Sequence, residues 1–281
     1  MKAGRVFSVL RAGDETDGFE VTSPPVPLHL KRFVNSWTGY REWSAAAVRR
    51  VELPTGRAVL IFEFGPPLGV GRVGASLVHH GGFFAGIDDA PSLTVFQREQ
   101  AGVQVNLTVA GALGFARAPL AREVVALEDL GLRRSLGEQL SISTWPERFE
   151  LVTRALEARF DEARGPSRLV TWAVERIDAA HGALRIDDLS DELGFSRKHL
   201  HAKFIDELGL SPKRYADVRR FSRVMERLRT KSFRDLASLA LELGYSDQSH
   251  LAREVKRFSG DSPTTLTLDD PLSLAVNPAR E

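Results

Sequence analysis

The sequence predicts an α+β fold with two domains, in which a β-rich sandwich or barrel-like domain comes first and an all-helical domain follows. Short, β-branched segments bounded by Gly or Pro fill the first third of the chain, which is typical of antiparallel sheets. After Pro119 the apolar residues recur at helical spacing instead. We therefore place the two domains at 1–163 and 167–266, and a frayed tail at 267–281.

The composition excludes several classes of protein. The 281 residues are 43% hydrophobic and 27% charged, so the chain can bury one or two substantial cores and is not a disordered sequence. It has no apolar run of about eighteen residues, and Met1–Arg5 is followed by no apolar signal segment, so we expect a cytoplasmic protein without a membrane span. The lack of cysteine excludes disulfides, thiolate nucleophiles and Cys-ligated zinc.

Six segments of the first domain are predicted as strands. Each is short, rich in alternating or β-branched residues, and bounded by turn-forming residues. Pro54-Thr55-Gly56 predicts a turn between two of them, because Pro presets φ and Gly tolerates positive φ. The predicted strands are 27–37, 47–53, 57–64, 75–80, 92–98 and 102–110.

A long helix is predicted at the end of the first domain. Its apolar residues follow one another at spacings of three or four, with Thr144 as the N-cap and Pro146 in the first turn. The stripe either packs on its own β-rich domain as a lid or pairs with a second copy of the chain. Gly165-Pro166 then ends the helix, and Ser167 caps the next one. The stripe consists of Trp145, Phe149, Val152, Leu156 and Phe160.

Two similar segments, 188–196 and 239–246, lie about fifty residues apart in the helical domain. Each predicts a short helix, a glycine turn (Gly194 or Gly244) followed by an aromatic residue that packs between the helices, and a second helix with a Ser or Ser-Asp cap. Both copies end in Gly-x-Ser-Pro, and the first of these begins a connecting helix predicted at 212–229. The domain is therefore a double helix-turn-helix.

The motifs of this domain resemble the double helix-turn-helix DNA-binding domain of AraC-type (AraC/XylS) transcriptional regulators. The resemblance covers 167–266 and is carried by Leu-Gly-Phe-Ser196, Leu200-x-x-x-Phe204, Gly209-x-Ser-Pro-x-x-Tyr215, Gly244-Tyr-Ser-Asp-Gln-Ser-His-Leu-x-Arg253 and Gly260-x-x-Pro263. It implies a β-rich sensory or oligomerisation domain before the DNA-binding pair. It also implies promoter DNA and RNA polymerase as partners, with a small-molecule effector and a second copy of the chain as further candidates.

The charge distribution favours a polyanionic partner. The net charge is only +1, but residues 196–234 hold twelve Lys or Arg and four Asp or Glu. The outward residues of the first turns of a recognition helix meet base edges in the major groove. The predicted DNA-binding residues are Arg197, Lys198 and His201 in the first copy, and Gln248, Ser249 and Arg253 in the second.

Other charged groups are given no DNA-reading role. Arg219, Arg223 and Arg227 form an i, i+4 stripe on the connecting helix, which we interpret as exposed charge with at most a phosphate contact.

The sequence offers no recognisable catalytic or metal site. His79 and His80 are neighbours on a predicted strand and point to opposite faces, so they do not favour chelation of one ion. We expect no cofactor and no enzyme activity. Two alternatives stay open: an enzyme with a catalytic β-barrel and regulatory helices, and a ligand-independent regulator controlled by a protein partner.

Overall fold

The computed structural model describes residues 8–161 and 165–266, which form a β-rich region followed by a helical region. This order confirms the predicted fold class. The predicted tail at 267–281 lies outside the described residues, as do 162–164 beside the predicted boundary. The domain limits therefore stay predictions.

In the described part of the chain, the strands form two antiparallel sheets. They are β1 (Leu10–Gly13), β2 (Gly18–Thr22), β3 (Val34–Trp43), β4 (Val48–Glu52), β5 (Val59–Glu63), β6 (Leu68–Arg72), β7 (Val78–His80), β8 (Phe83–Ala85), β9 (Ser92–Phe96), β10 (Glu99–Leu107) and β11 (Val124–Ala126). The larger sheet has the order β1-β2-β3-β10-β5-β8-β11, and the smaller has the order β4-β9-β6-β7. Both sheets include pairs of sequence-distant strands, such as β3 with β10 and β4 with β9, so the fold depends in part on long-range pairing.

The described helices are α1 (Val109–Ala116), α2 (Ser135–Ile142), α3 (Trp145–Phe160), α4 (Arg168–Ala179), α5 (Ile186–Leu193), α6 (Arg197–Leu208), α7 (Pro212–Thr230), α8 (Leu236–Glu242) and α9 (Gln248–Ser259). None of the helices within 8–161 and 165–266 combines the length and apolar character needed to cross a bilayer. The last six helices form the predicted double helix-turn-helix, with α7 as the connecting helix.

One predicted strand is wrong in its first half. Residues Leu28–Leu30 form a short 3-10 helix, and β3 begins only at Val34. Pro27 takes φ −53° and ψ 139°, and the following turn buries Leu30 in the core. The other five predicted segments each contain a strand, although 102–110 ends in α1 and its strand begins earlier, at Glu99.

Strand alternation gives the two faces of the larger sheet different partners. One face packs on helices α1 and α3, and the other packs on the smaller sheet, so this region has three layers. The face toward the helices includes Leu60, Phe62, Phe84, Val103 and Val105. The face toward the smaller sheet includes Ile61 and Phe83, which meet Leu68, Val70 and Phe96.

Helix α3 forms the lid of its own domain, the first of the two predicted alternatives. The Thr144 backbone N–H donates to Glu147 at 2.8 Å in a capping box, and Pro146 lies in the first turn, as predicted. Phe149 packs on Trp37 with ring centroids 5.0 Å apart, and Val152 is fully buried. In this structure the stripe is therefore covered by its own domain.

The two helix-turn-helix units differ in how they are anchored. The apolar core of the β-rich region continues through α4 and α6 as far as Tyr215 at the start of α7. The second unit has its own core, formed by the rest of α7 with α8 and α9, on which Leu53 of the β-rich region packs. The first recognition helix is therefore part of the larger core, whereas the second is carried by α7.

Two turns of the β-rich region also hold α7 by polar contacts. Asp89 accepts hydrogen bonds from Arg122, at 2.7 and 3.0 Å, and forms an ion pair with Arg214 of α7. Burial alone raises the pKa of Asp89, but its two guanidinium partners lower it below the ordinary value. Arg219 of α7 donates to the Thr55 carbonyl at 3.0 Å. These contacts fix the connecting helix against the β-rich region.

Candidate nucleic-acid interface

The turn of each helix-turn-helix unit is set by a glycine with positive φ. Gly194 has φ +67° after α5, and Gly244 has φ +77° after α8, which confirms the predicted left-handed turns. Helices α6 and α9 likewise end at left-handed glycines, Gly209 and Gly260. The chain reversal in each unit therefore depends on backbone conformations that other residues adopt only with strain.

Side-chain caps fix the start of both recognition helices. The Ser196 hydroxyl accepts from the His199 N–H at 3.2 Å, and Asp247 accepts from the His250 N–H at 2.7 Å. The His250 N–H and the Ser246 hydroxyl hold the pKa of Asp247 below its ordinary value, so this cap stays ionised. The first turn of each helix is thereby ordered at the surface.

Both recognition helices have twelve residues between cap and terminal glycine, which aligns them residue by residue. Arg197 corresponds to Gln248 and Lys198 to Ser249. The alignment also pairs Ala202 with Arg253, so the predicted sets do not occupy fully equivalent positions. The two helices would therefore present different chemistry to a nucleic acid.

All six predicted DNA-binding residues are exposed to solvent. Arg197 Nε lies 2.8 Å from Asp187 Oδ1 in an ion pair, without the alignment of a hydrogen bond. Arg253 Nε donates to the Ser249 carbonyl at 3.2 Å along its own helix. The opposite faces of the helices bury Leu200 and Phe204 in α6, and Leu251 and Val255 in α9.

Two further exposed cations on α9 were not among the predicted DNA-binding residues. Lys256 and Arg257 are exposed one turn after Arg253, and Arg257 Nη2 lies 3.7 Å from Asp217 Oδ2. Their i+3 and i+4 spacing from Arg253 was the available signal. The exposed face of α9 is thus basic in its second half, whereas Arg197 and Lys198 lie in the first turn of α6.

One predicted core aromatic is exposed instead. Phe195 is 47% exposed and stacks on His199, with ring centroids 5.1 Å apart. Its counterpart Tyr245 is buried as predicted, because its hydroxyl donates to Glu254 at 2.7 Å inside the second unit. The first unit has no such acceptor at the aligned position, which is Lys203.

The predicted exposed stripe on α7 is also wrong. Arg219 donates to Asp178 at 2.6 Å, Arg223 to Glu226 at 2.6 Å, and Arg227 pairs with Glu242. All three side chains are mostly covered, because α7 lies between the two units and the β-rich region. They serve the fold of the domain.

A cleft of about 700 Å³ lies between the two units. Half of its lining residues are charged, and the polar part of the lining includes Arg185, Asp187, Arg197, His201, Lys213 and Arg220. Because predicted DNA-binding residues Arg197 and His201 lie on its wall, the cleft belongs to the same surface as the first recognition helix.

The predicted strand histidines do not form a cluster. His79 is exposed on β7, whereas burial lowers the pKa of the neighbouring His80. Within residues 8–161 and 165–266, no three His, Asp or Glu side chains come close enough to share a metal ion.

Comparison with known proteins bears on the helical region. The family described as "Helix-turn-helix domain" matches residues 189–267. A search of curated proteins found no match. Among solved structures, ToxT from Vibrio cholerae is 8% identical over 78% of this chain and 97% of its own, with a TM-score of 0.49.

Two further solved structures are similar at low TM-score. The C-terminal domain of AraT, a response regulator from Geobacillus stearothermophilus, is 20% identical over 37% of this chain and 92% of its own, with a TM-score of 0.33. The AraC-like transcriptional activator CuxR is 16% identical over 78% of this chain and 86% of its own, with a TM-score of 0.32.

The family match and the two capped helix-turn-helix units agree on the class of this region. Residues 189–267 match the model of a helix-turn-helix domain of the AraC type. The predicted resemblance is confirmed at this level.

Proposed function

We propose that this protein is a sequence-specific transcription regulator in which α6 and α9 enter adjacent major-groove faces of promoter DNA. The observation that carries the proposal is the duplicated unit: two recognition helices of equal length, each capped at the start and ended by a left-handed glycine, on one connecting helix. We propose RNA polymerase as its protein partner, because a transcription regulator acts on that enzyme.

The contacts of α7 with both recognition helices support simultaneous binding. Phe204 of α6 packs on Tyr215 of α7, and Phe258 of α9 packs on Phe221 of α7, with ring centroids 6.4 and 4.9 Å apart. One helix thus holds both recognition helices in a fixed arrangement. We propose that this arrangement places them about one turn of DNA, roughly 34 Å, apart.

The side chains on the exposed faces support distinct base preferences. Arg and Lys pair with guanine O6 and N7, and Gln pairs with adenine. Arg197 and Lys198 would thus favour guanine in one half-site. Gln248 and Arg253 would read adenine and guanine in the other, while Lys256 contacts phosphates.

For the β-rich region we propose effector sensing. Polar side chains occupy the space between its two sheets: Arg50 of the smaller sheet donates to Glu42 of the larger at 3.0 and 3.2 Å. Beside them, the Tyr40 hydroxyl donates to the buried Glu63 carboxyl at 3.0 Å. These side chains are paired with one another, so a small molecule that binds in this layer has to replace their hydrogen bonds, which a polar effector can do and an apolar one cannot.

The experiment measures binding of the full-length protein to its selected duplex and to a scrambled duplex at several salt concentrations. Arg253→Ala and Gln248→Ala should each weaken binding to the selected duplex by about 1–3 kcal/mol and relax one base position. Arg133→Ala changes an exposed cation of the β-rich region and serves as the control. Equal affinity of the unaltered protein for both duplexes would refute the proposal.

A further inference from the structure

A cluster of charged side chains is buried between α7 and α9. The Arg220 and Glu254 side chains are only 10% and 6% exposed, and Arg220 Nη2 donates to both carboxylate oxygens, at 3.0 and 3.2 Å. Glu254 also accepts from the Tyr245 hydroxyl at 2.7 Å. Arg220 further approaches Asp217 and the Gly244 carbonyl, each at 3.4 Å. The pair thus links both helices and the turn of the second unit.

Stability alone is a weak reason for such a pair. Moving two charges out of water costs free energy that their attraction only partly returns, and apolar side chains of similar volume often stabilise a fold as well or better. A guanidinium–carboxylate pair instead fixes the relative orientation of the two helices that carry it, because the planar donors fit the carboxylate in one geometry. The best-attested role of buried ionic groups is to specify one arrangement among several.

The position of Glu254 on α9 determines what the ion pair orients. Glu254 follows Arg253 in the sequence and lies on the buried face of α9, beside Leu251 and Val255. A bond from this face to α7 fixes the rotation of α9 about its own axis. The rotation in turn decides which way Gln248 and Arg253 point.

The first unit is held differently. Lys203 occupies the position aligned with Glu254, and it pairs at the surface with Asp206 and Glu207 at 4.0 Å. Helix α6 is instead fixed by the apolar core that continues into the β-rich region. The second recognition helix packs on a separate apolar core and is joined to α7 by the Arg220–Glu254 ion pair in addition.

We propose that Arg220 and Glu254 are positioning residues that set the base specificity of the second recognition helix. This inference rests on the proposed function and adds to it a pair that need not touch DNA. Removing the charge of Glu254 loosens the rotation of α9 and leaves α6 unaltered.

The test is binding-site selection from random duplex with full-length Glu254→Gln, followed by affinity measurements on single-base variants of the selected site. Discrimination at the bases read by α9 should fall about tenfold, because a misaligned side chain loses a bidentate base contact. Discrimination at the bases read by α6 should stay unchanged. Glu226→Gln, which removes the partner of Arg223 on the same connecting helix, is the matched control and should alter neither half-site.

Three results would overturn the inference: an unchanged consensus for Glu254→Gln, equal weakening of both half-sites, or the same effect in the control. If Glu254→Gln does not fold by circular dichroism, Tyr245→Phe replaces it, since that change removes only one hydrogen bond to Glu254. It should lower discrimination in the second half-site alone, and an unchanged selection would refute the inference. Failure of the proposed function is a separate result, in which the unaltered protein selects no sequence.

Discussion

The buried carboxyl of Glu63 should make the stability of the β-rich region depend on pH in an unusual direction. Glu63 is 2% exposed and accepts from the Ala101 N–H at 2.8 Å, the Gly65 N–H at 3.2 Å and the Tyr40 hydroxyl at 3.0 Å. Burial raises its pKa from 4.5 to about 7, although these three hydrogen bonds oppose the shift. The neutral acid is thus favoured in the folded protein.

The sign follows from proton binding. Between about pH 4.5 and pH 7 the folded state keeps a proton that the unfolded state has released, so the free energy of unfolding falls as the pH rises. Above about pH 7 Glu63 is ionised in both the folded and the unfolded state, and the free energy of unfolding no longer falls on its account. A shift of this size corresponds to about 3 kcal/mol at about 1.4 kcal/mol per pH unit.

The assay is urea unfolding of the full-length protein and of Glu63→Gln at several values between about pH 5 and pH 8. Gln is neutral at every pH and keeps an acceptor for the Ala101 N–H. The variant should gain stability relative to the unaltered protein as the pH rises, by up to about 3 kcal/mol at pH 8. A difference that is the same at both ends of the range would refute the reasoning.

Three further predictions follow from single contacts. Gly244→Val should lower the melting temperature, because the residue has φ +77° and a Cβ there would lie 3.2 Å from the Ala183 Cβ; an unchanged melting temperature contradicts this. Asp89→Asn should weaken docking of the β-rich region on α7 by about 1–2 kcal/mol, since it removes the anionic partner of Arg214 at a partly exposed site; hydrogen exchange at the start of α7 should rise, and equal protection argues against the docking role. Val152→Asp should cost about 4 kcal/mol or more, because it places a charge in a fully buried position; a folded variant that only changes its mass in sedimentation would favour pairing of two copies through α3.

Most of the features that were predicted correctly from the sequence are local ones, such as helix caps and glycine turns. The caps at Thr144, Ser196 and Asp247, and the turns at Gly194 and Gly244, depend on residues within one helical turn of each other. They were therefore readable in a single sequence. The helical region and its family resemblance followed from these signals.

What was missed depends on distant partners. Strand β6 contains two glycines and strand β11 has only three residues, so their pairing with β9 and β8 is determined by the folded sheets. The covered state of Arg219 depends on Asp178 and on the Thr55 carbonyl, far away in the sequence. The Arg220–Glu254 pair likewise joins residues thirty-four positions apart.

The central claim is that two recognition helices on one connecting helix read two adjacent major-groove faces. The most direct measurement is the affinity of the full-length protein for its selected duplex after insertion of roughly half a helical turn, about five base pairs, between the two half-sites. Since α7 fixes the separation and direction of α6 and α9, binding should fall to the level of a duplex with one half-site. Affinity that is unchanged by the insertion would contradict the account.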